Sequence, residues 1–131
     1  MTMPTVQSDN TLSFPHGLIG YEQHNQFQLF SPESDNPTVF ELQSLTDHGL
    51  ALSVVSPEAL KLQLSITLTD EESELLELSD PHDVVVALIV YKPIENDVPQ
   101  TMKAIVKAPI IINSKSKLAI QKQLGELDTI N

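Results

Sequence analysis

Four histidines and one dense run of carboxylates are the groups in this chain that could do chemistry. His16, His24, His48 and His82 are the candidates for acid–base work or metal ligation, because imidazole titrates near neutral pH and binds zinc. They are scattered through segments rich in turn residues. None forms an i, i+4 pair or stands at metal-ligand spacing, so exposed loop histidines are expected and no metal site is assigned. Pro81-His-Asp83 sets His82 beside Asp83, but neighbours in a strand or turn point apart. The chain has no cysteine, which removes thiolate and disulfide chemistry. No G-x-S-x-G elbow, P-loop or G-x-G-x-x-G is present, and with only four glycines a backbone phosphate cradle is hard to build. No catalytic or cofactor-binding residue and no cofactor are therefore assigned. A small hydrolase or ligand-binding barrel would need convergent polar residues that the sequence does not supply.

The carboxylates are more informative. From Asp70 to Asp83 the chain carries seven acids and no base: Asp70, Glu71, Glu72, Glu74, Glu77, Asp80 and Asp83. A calcium loop would need ligands at alternating positions and a turn glycine, and Leu75-Leu76 interrupts the run instead. Two readings stand. Asp70, Glu71, Glu72, Glu74 and Glu77 form a docking face for a basic protein, or they coat a well-capped, solvated helix. The whole chain has 18 acids against 7 bases, a net charge of −11, and every base is a lysine. Phosphate and base recognition favours arginine and needs clustered positive charge, so direct nucleic-acid binding is not expected. An acidic surface instead speeds encounter with a basic partner, or simply keeps the protein soluble. Six of the seven lysines fall between Lys92 and Lys122, a mildly basic end facing an acidic middle.

The elements that must position these groups read mostly as strands. Ile105–Asn113 is the most β-prone run, with Pro109 in its middle. Proline has no N–H for a ladder and forces its predecessor towards extended geometry, which predicts a strand that bends at Ala108-Pro109. Thr11–Phe14, Gln26–Phe30 and Thr38–Leu45 alternate in polarity, with Phe40, Leu42 and Ser44 on one face of the last. Thr46–Gly49 is a turn leading to a return strand, Leu50–Ser56, stopped by Pro57. Lys61–Leu68 has the cleanest period of two, with Leu62, Leu64, Ile66 and Leu68 inward. Thr69-Asp-Glu-Glu72 then has capping-box spacing, and a short helix is predicted from Asp70 to Glu77. Val84–Tyr91 is nearly all apolar and should be covered on both faces. Thr2–Asn10 is polar and expected to fray; Ser31–Pro37 and Pro93–Pro99 read as polar connections. Lys117–Leu124 fits a strand or a short helix.

About eight short strands and one short helix predict an all-β fold, a small antiparallel barrel or sandwich. With 131 residues, no linker and no repeat, a single domain over residues 1–131 is expected. No stretch approaches the length of a membrane span, and Met1–Asn10 lacks the basic and apolar regions of a secretion signal. A cytoplasmic location is expected.

Four segments, in order, resemble the bacterial flagellar assembly factor FliW family. Phe14-Pro-His-Gly-Leu-Ile-Gly-Tyr-Glu22 resembles its F-P-x-G-L-x-G-[FY]-E opening. Phe40–Leu45 followed by Asp47 resembles its L-Q-S and acidic turn. Leu68–Glu72, through Leu75-Leu76 to Asp83-Val84, is the third, and Lys107–Asn113 with Ala119 and Gln121 resembles its A-P-I-x-I-N…Q end. The chain departs where the family usually has Asn and this one has Ile105, and where it often has Arg and this one has Lys117. The resemblance implies a barrel-like, non-enzymatic binding protein. Its implied partners are CsrA, a basic RNA-binding translational regulator whose repression of flagellin synthesis it relieves, and flagellin itself. A member with Ile105 could instead be a flagellin chaperone that does not bind CsrA.

Overall fold

The computed structural model describes residues 11–30, 39–47, 49–91, 94–95, 98–99, 103–126 and 128–130. The segments Thr2–Asn10 and Ser31–Pro37, the strand start at Thr38, His48, and parts of Pro93–Pro99 and of the stretch before Lys103 lie outside the described residues.

Period-two segments become the walls of a closed barrel. Its strands are β1 (Thr11–Ser13), β2 (Gln26–Phe30), β3 (Val39–Ser44), β4 (Ala51–Val55), β6 (Val84–Tyr91), β9 (Lys103–Asn113) and β10 (Leu118–Gln121). They lie in the order β1-β10-β9-β6-β4-β3-β2, and β2 closes onto β1. Every pairing is antiparallel except β1 with β10, which meet in parallel at Ser13 and Leu118. Closure removes the sheet edges that an open sandwich would leave. Lys117–Leu124, which fitted a strand or a helix, supplies strand β10. Two small ladders stand outside the barrel: β5 (Leu64–Ser65) with β11 (Thr129–Ile130), and β7 (Ile94–Glu95) with β8 (Val98–Pro99).

The barrel interior is filled by Leu12, Phe14, Phe27, Leu42, Val54, Ile89, Ile110 and Ile112, with Phe14 and Phe27 edge to face at 5.4 Å. Leu42 and Ser44 are buried and Phe40 packs beside them, as the alternation of β3 predicts.

The bend in β9 is a register slip. Ala87 of β6 faces Ile110, but Ile89 faces Ile105, so residues 106–109 are taken up opposite Leu88. Pro109 sits buried in the slip, where no ladder N–H is required of it. Its carbonyl accepts the Lys122 N–H at 3.0 Å, and the Ala108 carbonyl accepts Gln121 Nε2 at 3.0 Å.

One predicted strand is corrected. Lys61–Leu68 does not enter the barrel; only Leu64–Ser65 is strand, and Pro57–Leu60 before it forms a 3₁₀ turn. The alternation is real, since Leu62, Leu64, Ile66 and Leu68 are each half-buried. They lie over the outside of the barrel: Leu62 and Leu64 pack on Val55, Leu88 and Val90, while Ile66 and Leu68 join Leu76, Ile111 and Ile120. This outer layer covers β6 on its second face, which accounts for that strand's apolar run at Ala87–Val90, although Val85 remains exposed. The Asp128 carboxylate holds the layer down by accepting the Thr67 N–H at 2.7 Å and the Gly125 N–H at 2.8 Å. These two bonds hold the Asp128 carboxyl below its usual pKa.

Candidate protein-docking site

The acidic run folds as helix α1, Asp70–Leu75, shorter than the predicted Asp70–Glu77. The capping box forms as its spacing requires: Thr69 Oγ1 accepts the Glu72 N–H at 3.1 Å and Glu72 Oε1 accepts the Thr69 N–H at 2.8 Å. Leu76 ends the helix and Glu77 turns into the left-handed region at φ 52°, so the chain cannot continue the spiral.

Both ends of this short helix are tied to the barrel. At the first turn, Lys122 Nζ donates to both Glu72 oxygens at 3.0 Å. The Lys122 side chain is only 10% exposed and that of Glu72 22%. Burial raises the Glu72 carboxyl, but the Thr69 N–H and the Lys122 ammonium outweigh it and hold the pKa below its ordinary value. At the last turn, Asn113 Nδ2 donates to the Leu76 carbonyl at 2.8 Å and the Glu77 carbonyl at 3.3 Å, and Ser116 Oγ also reaches the Leu76 carbonyl at 2.8 Å. Helix ends leave carbonyls without intrahelical partners, and here β9 and the turn after it satisfy them. Leu76, fully buried, supplies the apolar contact between them.

The five acids predicted as a partner face therefore divide. Glu72 is committed to the cap and to Lys122. Asp70, Glu71, Glu74 and Glu77 are exposed. Glu71 and Glu74 line a cleft of about 290 Å³ with His16 and Leu75. It adjoins one of about 310 Å³, which also takes in Leu18, Ile19, Glu22, Ile120 and Gln121. Asp70 and Glu77 line neither.

The opposite wall is the loop from Pro15 to Glu22, of which His16 is the one histidine. Gly17 has φ 67°, and a Cβ there would meet the Glu22 carbonyl oxygen at 2.6 Å, so only glycine fits the turn. Gln121 Oε1 accepts the Ile19 N–H at 2.8 Å, and Glu22 Oε2 accepts the Gly20 N–H at 3.0 Å. That second bond, with the Glu22 N–H, holds the exposed Glu22 carboxyl below its usual range. Gln121 thus ties this loop to the β9 bend. Periodicity gave no sign of this pairing, because it joins residues far apart in the chain.

Among the other histidines, His24 Nδ1 lies 3.3 Å from Thr46 Oγ1 and His82 Nδ1 lies 3.1 Å from Asp80, not Asp83. Among the described residues no three or more His, Asp or Glu side chains gather as a metal site, and no helix is long and apolar enough to cross a membrane.

Three of the four segments singled out in the sequence meet here: the Phe14–Glu22 loop, helix α1, and the β9–β10 hairpin with Asn113 and Gln121. Phe40–Asp47 lies elsewhere in the barrel, where Ser44 Oγ accepts the Thr46 and Asp47 N–H groups and shapes the turn.

Comparison with known proteins bears on the family and the fold. The family model described as "FliW protein" matches residues 1–129. A flagellar assembly factor FliW of Azoarcus sp. (strain BH72) is 36% identical over 124 residues, covering 93% of this chain and 85% of the relative. One from Chromobacterium violaceum is 32% identical, covering 95% and 90%. The fold matches a crystal structure of the flagellar assembly factor FliW with a TM-score of 0.76 at 23% identity, over 96% of this chain and 83% of that one. A match over nearly the whole length, with relatives above 30% identity, places the chain in the FliW family of flagellar assembly factors.

Proposed function

We propose that this chain is a non-enzymatic, cytoplasmic binding protein of flagellar assembly, acting as one domain. It binds the basic translational regulator CsrA, relieves its repression of flagellin translation, and also binds flagellin, so that free flagellin releases the regulator. Family membership supports the setting. The observation that carries the reading is on α1: Glu71, Glu74, Asp70 and Glu77 are exposed and have no ion-pair partner among the described residues, on a chain of net charge −11. Such uncompensated charge raises the encounter rate with a basic protein and falls off with salt.

Size-exclusion chromatography of the protein with its cognate CsrA tests this. Co-elution at low salt and micromolar concentration is expected, weakening as salt rises. Failure to co-elute at low salt refutes the reading. A second reading keeps flagellin as partner and drops CsrA. It is favoured by Ile105, which is 38% exposed on β9 where the family usually carries Asn, so the departure lies at the surface. Competition between flagellin and CsrA for the protein separates the two.

A further inference from the structure

The cleft between the Pro15–Glu22 loop and α1 combines features that a charged helix face alone does not have. Its floor is apolar, from Leu18 and Ile120, which are buried, and Leu75, which is half-buried. Its lip carries Ile19, which is 47% exposed. That exposure does not come from a loose loop, since the Ile19 and Gly20 N–H groups are both fixed by side chains. Glu72 at the bottom is neutralised by Lys122, whereas Glu22 on the loop, and Glu71 with Glu74 in the adjoining cleft that shares His16 and Leu75, have no ion-pair partner among the described residues. The cleft is open, and the described residues leave no buried side-chain polar atom without a partner, so no built polar contact awaits a small molecule. An apolar floor between two acidic rims fits a protein segment that carries an aliphatic side chain flanked by lysine or arginine.

We infer that this cleft is the docking socket for the basic partner: one aliphatic side chain enters between Ile19 and Leu75, and flanking cations lie against Glu22, Glu71 and Glu74. The inference deepens the reading above and rests on it. It separates acids of the same helix by location. Glu71 and Glu74 take part, while Asp70 and Glu77, outside the cleft, contribute only to the long-range field.

The test is isothermal titration of cognate CsrA into the protein at low salt, with circular dichroism confirming that each variant folds. The double variants Glu71→Lys/Glu74→Lys and Asp70→Lys/Glu77→Lys change net charge equally. The first is expected to weaken binding about tenfold or more, the second about twofold. Ile19→Ser, which changes no charge, is expected to weaken binding about tenfold because it removes an apolar contact at the centre of the socket. Glu22→Gln keeps the acceptor for the Gly20 N–H and removes only the charge, and it should weaken binding less than Ile19→Ser. Equal losses from the two double variants with no effect of Ile19→Ser would overturn the socket and leave a diffuse electrostatic contact. If the unaltered protein gives no binding heat and no co-elution, the functional reading itself fails, and the socket with it.

Discussion

Asn113 gives the sharpest test of how this fold is held. It is 2% exposed and makes three side-chain hydrogen bonds: to the Leu76 and Glu77 carbonyls, and from the Lys115 N–H to its Oδ1 at 2.9 Å. Replacement by Ala removes all three. At about 1 kcal/mol each the upper figure is about 3 kcal/mol. Ser116 still serves the Leu76 carbonyl and the exposed Lys115 can offer its N–H to water, so Asn113→Ala should cost about 2 kcal/mol. Asn113→Asp keeps the shape and the Lys115 bond but turns a carboxylate oxygen towards two carbonyl oxygens in a buried site. Near neutral pH it should cost more than the Ala variant, about 3–4 kcal/mol. The new carboxyl has its pKa raised in the folded state, because protonation restores a donor to the Leu76 carbonyl. A group with a raised folded-state pKa contributes stability at low pH and loses it as pH rises. The Asp variant should therefore recover towards the unaltered protein as pH falls through that raised value, with the recovery complete only below the ordinary Asp pKa of about 4. Urea unfolding followed by far-ultraviolet circular dichroism measures this; with a slope of about 2 kcal/mol/M, the Ala variant should lower the midpoint by about 1 M. An Ala variant within about 0.5 kcal/mol of the parent, or an Asp variant with no recovery on acidification, would refute this account of the α1 terminus.

The ion pair at the other end of the helix predicts a pH dependence of opposite sign. Glu72 is held below its ordinary 4.5, so its contribution is full above that value and is lost as pH falls through the lower folded-state value. Glu72→Gln should cost about 1–2 kcal/mol near neutral pH, and its deficit against the parent should close in acid; a deficit independent of pH in urea titrations would contradict the pairing. In the loop, Gly17→Ala must relieve a 2.6 Å clash with the Glu22 backbone as well as adopt φ 67°, whereas Gly20→Ala, at φ 88°, meets nothing within 4 Å. The first should cost about 2–4 kcal/mol and the second about 1 kcal/mol, and equal thermal shifts for the two would rule out the clash.

What local pattern can encode was legible in the sequence. β2 and β6 fall where alternation and apolar content put them, and Thr69 and Glu72 close the capping box that their spacing announces. Pro109 marks the β9 bend because a residue without an N–H must sit where the ladder slips. Lys61–Leu68 shows the limit of such patterns. A period of two says that one face is covered but not by what, so a strip lying over the barrel reads like one of its staves. Lys117–Leu124 fits strand and helix alike for a similar reason: its pairing with β9, not its own periodicity, selects the strand. Glu72 reads as one more surface acid until Lys122, fifty residues on, is found beside it.

By itself, then, the sequence determined an all-β chain with one capped helix, a strongly acidic surface, a proline-marked bend and the likeness to the FliW family, all of which rest on residue type and short spacing. Only the tertiary structure decided which acids remain free, because that depends on Lys122, Asn113 and Gln121 reaching α1 and the Pro15–Glu22 loop from the far end of the chain. Distance through space, not along the chain, sets which charges are neutralised. It leaves Glu71 and Glu74 unpaired among the described residues, beside His16 and Leu75, next to an apolar-floored cleft that carries Ile19 and that no linear motif describes.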